Sequence, residues 1–203
     1  MDPAAVNISP FPRLKGAEDM NAVAPTTESL VARCIAGERQ AWRELHKRYY
    51  ATAYSFLRRL GVRSPDTEDA CQEVFVQVFR YLATFQHRAD LRTWIYKLCI
   101  SQAARVRRRA TLRAGLGWFL HRQAEDAVVR GPEWTESDVQ RRVHAALAGM
   151  KEIHRSVFVL FELEGLSGEE VAAATGLPHS TVRRRLHNAR REFEALVEKA
   201  VST

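Results

Sequence analysis

Cysteine is scarce in this sequence and poorly placed for chemistry. Cys34, Cys71 and Cys99 are widely spaced, and no CxxC pair occurs. An odd number without disulfide-framework or zinc-ligand spacing points to a reducing compartment and to thiols used as small buried hydrophobes. A redox switch through Cys71 and Cys99 is the weaker alternative. Long apolar runs are also missing, and none approaches the ~20 residues that a bilayer span requires. The opening MDPAAVNISPFPRLKGAEDM lacks the charged-then-apolar order of a secretory signal. The expectation is a cytoplasmic protein with no direct membrane insertion. No GxxxxGK[ST] loop, no HExxH and no carboxylate pair beside a metal-ligand set occurs. His87, His121, His144, His154 and His179 lie in separate segments without ligand spacing. Neither metal nor other cofactor is therefore expected, nor catalysis by the chain itself. No internal repeat is visible, and no long alternating run suggests a sheet.

What the sequence does have is positive charge and helical periodicity. Its 203 residues carry a formal net charge of +7, with 46% hydrophobic and 27% charged residues; the pI is near 9.7. That composition suits one ordinary globular domain or two small ones, and its basic balance suits nucleic acid or another anionic surface. Residues 1–27, with Pro3, Pro10, Pro12 and Pro25, read as a mobile tail. Residues 28–113 are helical in pattern, with breaks at LGVRSPDTED and FQHRAD. In the first break Gly61 can end one helix, and Ser64 or Asp66 can cap the next with Pro65 in its first turn. Residues 114–138 hold Gly115, Gly117, Gly131 and Pro132 and read as a linker, and helical periodicity returns over residues 139–200. The expected architecture is all-α, with two small helical modules on a flexible tether.

The second module has the more specific pattern, LSGEEVAAATGLPHSTVRRRLHNARREFEALV. Ser167 with Glu170 is a capping box, Thr175-Gly176 stops the short helix, and Pro178 precedes a longer one. Ala172 is small enough for a second helix to cross closely. Cap, small residue, glycine and a second apolar stripe together describe a helix-turn-helix. In the longer helix Val182, Leu186, Ala189 and Phe193 fall on one face at ~100° per residue and must pack inward. Ser180, Thr181, Arg184, His187, Asn188 and Arg191 then face outward, with Arg183 at the edge. Five arginines and no acid lie between Arg183 and Arg191. A merely solvated charged face would carry i,i+4 partners, and this one has none within the stretch. Arginine can pair bidentately with guanine and asparagine with adenine in the major groove. The face is expected to grip phosphates and bases.

The first module offers two charge patterns. PDTEDACQEVFVQVFRYLATF has an apolar stripe of Cys71, Val74, Phe75, Val78 and Leu82. Its other side carries Asp66, Asp69, Glu73 and Gln77, with Gln72 nearby. Capping explains acids in the first turn. Glu73 and the glutamines lie beyond that effect and form a polar patch suited to a basic partner. Downstream, from Val74 to Arg113, nine Lys or Arg face a single acid, Asp90. In ADLRTWIYKLCISQAARVRRR the residues Leu91, Ile95 and Leu98 mark the buried side, with Trp94 at its edge. Arg92, Tyr96 and Lys97 are expected to point elsewhere. Aromatics among cations suit single-stranded DNA, where bases stack and phosphates are neutralised. Trp94 reads better as core, and Tyr96 stays open between core and stacking surface.

DTEDACQEVF, LRTWIYKL and LEGLSGEEVAAATGLPHSTVRRRLHNARR, in that order and separation, resemble the signatures of extracytoplasmic-function sigma factors of the sigma-70 family. The resemblance implies a bacterial transcription initiation factor, an alternative sigma factor directing core RNA polymerase to −10 and −35 promoter elements of a specific regulon. It implies sigma region 2 over residues 28–113 and region 4 over 139–200. Asp69, Gln72 and Glu73 match the part of region 2 that docks on the polymerase β′ clamp helices, and the β subunit is a further implied partner. The loop Gln86, His87, Arg88, Ala89, Asp90 matches the one that captures a flipped −10 base, whose extrusion costs a few kcal/mol. Arg92, Tyr96 and Lys97 lie on the helix matching the one that supports strand opening. Arg183, Arg184, His187 and Asn188 match positions that read the −35 element. An anti-sigma partner is implied as well. The acidic end of the linker (Glu125, Asp126, Glu133, Glu136, Asp138) would run toward the RNA exit path. The competing reading is a stand-alone helix-turn-helix regulator, which would need a dimerisation surface and a sensor domain.

Overall fold

The computed structural model describes residues 26–86, 89–120 and 138–201, with side chains described through residue 112 in the middle stretch and over 143–199 in the last. Every regular element among these residues is a helix. The order is α1 (Thr27–Ile35), α2 (Arg39–Arg59), α3 (Asp66–Tyr81), a 3-10 turn (Leu82–Thr84), α4 (Leu91–Leu120), α5 (Asp138–Gly149), α6 (Glu152–Phe158) running into a π turn (Val159–Leu163), α7 (Gly168–Thr175) and α8 (His179–Val201).

The first module packs α1, α2, α3 and the first part of α4 around one core. Leu45, Phe56 and Leu57 of α2 meet Cys71, Val74 and Val78 of α3 and Leu91, Ile95 and Cys99 of α4, all at most 2% exposed. The apolar stripe expected of α3 is therefore its buried face. Phe75 is half-buried instead, with its ring against His46 and Tyr50 at 4.6 and 5.9 Å. The second module packs α5 to α8, with Leu147, Val157, Leu160, Val171 and Val182 in its interior. Phe158 stacks on Phe193 at 4.6 Å between centroids, locking α6 to α8.

Several boundaries differ from the sequence reading. The tail ends earlier than expected, because Thr26 caps α1 by accepting the Ser29 N–H at 3.2 Å. Residues 1–25 lie outside the described residues. A turn at Ala36–Gly37, which the pattern did not reveal, separates α1 from α2. Neither Ser64 nor Asp66 caps α3; Pro65 occupies that position and no side chain bonds there. The nearby hydroxyl of Thr67 is buried and donates to the Val62 carbonyl at 3.1 Å. Helix α4 continues through Gly115 and Gly117 to Leu120. Each glycine disfavours a helix by only about 1 kcal/mol relative to alanine, so two of them need not end it. The linker residues 121–137 are outside the described set.

Candidate nucleic-acid interface

The helix-turn-helix is built as its residue pattern demands. Ser167 Oγ accepts the Glu170 N–H at 3.2 Å while the Glu170 carboxylate accepts the Ser167 N–H at 2.7 Å, so two otherwise orphaned donors are satisfied. Gly176 ends α7 at φ +71°, a conformation that a Cβ resists. The Pro178 carbonyl then accepts from Thr181 and Val182 at 2.9 and 3.0 Å, starting α8.

Val182, Leu186, Ala189 and Phe193 are each at most 9% exposed, as the 3.6-residue period requires. The opposite side presents Ser180, Arg183, Arg184, His187, Asn188 and Arg191 to solvent, with Thr181 half-buried. Arg190 is different: it pairs with Glu162 at 2.7 Å and lies 5.6 Å from the Phe161 ring centre, so it braces the module. That acid comes from another element, which is why counting acids between Arg183 and Arg191 did not reveal it. Glu192 also turns back to its own module, accepting the Lys151 N–H at 2.8 Å and bonding His154 Nδ1. Burial alone would raise its pKa, but these bonds outweigh burial and lower it.

On α3, Asp69, Gln72 and Glu73 are exposed on one side, with Gln77 half-buried below them. The same side continues into apolar surface, since Val76 is 39% and Phe79 65% exposed. Phe79 rests near Trp42 at 4.8 Å between ring centres.

The basic helix α4 divides the remaining candidates. Gln86 is exposed and Ala89 half-buried, whereas His87 and Arg88 lie outside the described residues. Asp90 Oδ1 accepts the Arg92 N–H at 2.8 Å, so this residue caps α4. Arg92 and Lys97 are exposed, and Trp94 is half-buried with its ring 5.6 Å from Phe85. Tyr96 does not point outward as expected. It is fully buried, 4.3 Å from Phe56 between ring centres, and its hydroxyl donates to Glu164 Oε2 at 2.5 Å. Burial, with the Glu164 carboxylate second, pushes its phenol well above the ordinary range, so it remains a donor. Glu164 belongs to the second module; it stands at the start of the stretch LEGLSGEE, where sequence reasoning gave it no role. Residues 68 positions apart meet only through tertiary packing.

Among the described residues no cluster of His, Cys, Asp and Glu could hold a metal ion, and no helix is long and apolar enough to cross a membrane. The match to known families is divided as the modules are. Residues 45–113 match "Sigma-70 region 2" and residues 140–193 match "Sigma-70, region 4", together more than half of the chain. The chain belongs to the sigma-70 family. Its relatives identify it further as an alternative sigma factor of the extracytoplasmic-function type. An ECF RNA polymerase sigma-E factor of Haemophilus influenzae is 28% identical, with 85% of this chain and 96% of that one covered. The protein of the same name from Escherichia coli K12 is 29% identical over 85% and 95%. RNA polymerase sigma-H factor of Pseudomonas aeruginosa is 26% identical over 84% and 93%. Among solved structures, the sigma factor RpoE in complex with the anti-sigma factor NepR from Bartonella quintana gives a TM-score of 0.64 at 17% identity, covering 77% of this chain and 96% of that one. CnrH in complex with the cytosolic domain of CnrY gives 0.60 at 23%, covering 84% and 96%. These two support the sigma-factor fold.

Proposed function

We propose that this sigma factor works through three binding surfaces and no catalysis of its own. Residues 28–113 act as region 2 and residues 139–200 as region 4, with residues 114–138 as the linker. Asp69, Gln72 and Glu73 dock on the β′ clamp helices of core RNA polymerase, and the β subunit contacts the rest of the factor. Gln86, His87, Arg88, Ala89 and Asp90 take the flipped base of the −10 element, with Arg92 and Lys97 beside the opened strand, whereas Tyr96 is buried and supports the helix from within. Ser180, Thr181, Arg183, Arg184, His187, Asn188 and Arg191 read the −35 element. The observation that carries this reading is the two-sided α8: its apolar stripe is sealed into the module, leaving in water an arginine-rich face with no acid between Arg183 and Arg191. Such a face binds the major groove by direct readout and neutralises phosphates. An anti-sigma protein, of the kind that RpoE of Bartonella quintana binds, would act by covering one or more of these surfaces.

The decisive experiment mixes the purified chain with bacterial core RNA polymerase and a library of random upstream sequences, and sequences the transcripts. Enrichment of two spaced motifs is expected. DNA binding without any gain of polymerase activity would replace this reading with a stand-alone regulator.

A further inference from the structure

The C-terminal end of α2 is crowded with guanidinium groups. Arg58 and Arg59 close that helix, and Arg63 follows two residues beyond the Gly61 turn. Two more arrive from other helices: Arg107 of α4 and Arg155 of α6 each donate to the Leu60 carbonyl at 2.8 Å. Arg155 also lies against Gly61, where a Cβ would stand 2.2 Å from its Nη1. Only two acids answer these five cations through ion pairs among the described residues, Glu164 on Arg59 and Glu152 on Arg107. Arg155 is 8% exposed and spends its fork on the Leu60, Ala148 and Met150 carbonyls instead. Asp66 and Glu68 open α3 just downstream, yet neither pairs with Arg58 or Arg63. Three positive charges are left without a carboxylate around one turn. The negative end of the α2 dipole offsets roughly half a charge. Burial, with the Arg107 charge second, lowers the pKa of Arg155, as an excess of cations requires.

A cavity of about 120 Å³ opens at this turn. Arg58, Arg59 and Arg63 line it from the first module, and His144 and Ala148 of α5 line it from the second. His144 and Ala148 are four residues apart and so share a face of their helix. Size and charge together select the occupant. One water needs about 10–15 Å³ of such space, so the cavity has room for a cluster of waters or for an anion of one or two phosphate groups. Pockets for larger organic ligands run to about 300–1,000 Å³, which excludes a whole nucleotide. Arginine forks match phosphate oxygens bidentately. A tetrahedral phosphate offers acceptors in several directions, as donors arriving from two helices and a turn require, whereas a carboxylate offers them in one plane.

We infer that this cavity is a binding site for a small inorganic phosphate anion, diphosphate above all, held by Arg58 and Arg63 with His144 closing it from the other module. Arg59 contributes its charge while its fork stays with Glu164. The inference does not rest on the sigma-factor reading; it adds a ligand that no part of that reading uses. Because the walls come from both modules, the anion binds only to the folded chain and stabilises it by linkage.

The test titrates the full chain with diphosphate, inorganic phosphate, ADP and chloride at matched ionic strength, by calorimetry and by thermal unfolding. Wild type is expected to bind one diphosphate with a Kd below about 1 mM, to bind phosphate more weakly and to melt higher with each. Arg58→Ala/Arg63→Ala removes two exposed side chains and should raise the Kd at least about tenfold without changing the melting temperature of the ligand-free protein. Ala148→Glu, at an exposed helical position, puts a carboxylate in the opposite wall and should abolish binding while both arginines remain. Arg184→Ala/Arg191→Ala, on the distant face of α8, should leave the diphosphate Kd within about twofold. Loss of binding in that last variant, with binding retained in the first two, moves the anion to α8 and overturns the site. Absence of saturable diphosphate binding by the wild type overturns it outright. Tighter binding of ADP than of diphosphate overturns the assignment to a free inorganic anion.

Discussion

The cysteines show at single-residue scale how scarcity can be read correctly from sequence. All three are free and at most 2% exposed. Burial pushes the Cys34 thiol up to about 11 and the Cys71 thiol up to about 12, and it raises Cys99 well above its ordinary value. Because the thiolate is the reactive form, none should act as a redox sensor at neutral pH. Treating the native protein with a thiol reagent at pH 8 should label none of the three, and labelling after denaturation should give all three. Rapid native labelling of Cys71 or Cys99 would revive the redox alternative. Tyr96 is the opposite case. Its neighbours Arg92 and Lys97 are exposed, and nothing local distinguishes a ring that stacks on a base from one that packs on Phe56.

At the scale of the element, the recognition helix was legible because its period, cap and turn residues all demand one structure. Val182, Leu186 and Ala189 fix which way α8 faces, and every outward residue follows from that. Replacing Asn188 with Ala should cost about 1–3 kcal/mol of binding at one −35 base pair and relax the preference there. Arg191→Ala should instead weaken binding to all sequences alike and reduce the slope of log K against log salt by about 1. Binding titrations at several salt concentrations separate the two. Element ends were less legible than element faces. Helix α4 passes through two glycines, and α3 begins without a side-chain cap, because packing along the rest of each helix outweighs a local preference of about 1 kcal/mol.

At the scale of the whole molecule the decisive position is Gly61. It ends α2 at φ +85° and leaves the space that the Arg155 guanidinium occupies. Gly61→Ala adds backbone strain and forces that guanidinium to move, and about 1–3 kcal/mol of destabilisation is expected in thermal or denaturant unfolding. The turn itself was readable in the sequence, since a glycine after an apolar helical stretch commonly ends it. The second reason for the glycine was hidden, because Arg155 lies 94 positions away in the other module and arrives only on docking.

Periodicity and charge in the sequence by themselves determined the two helical modules, the apolar stripe of α3, the helix-turn-helix and its arginine-rich face. Each of these depends on residues within one or two helical turns, where 3.6-residue geometry and capping act directly. Only the tertiary structure decided that Tyr96 is buried, that Arg190 belongs to Glu162, and that Glu164 joins the modules. Those pairings need a partner tens of residues distant, and a charged side chain reads the same in sequence whether it faces water, DNA or an opposite charge brought to it by folding.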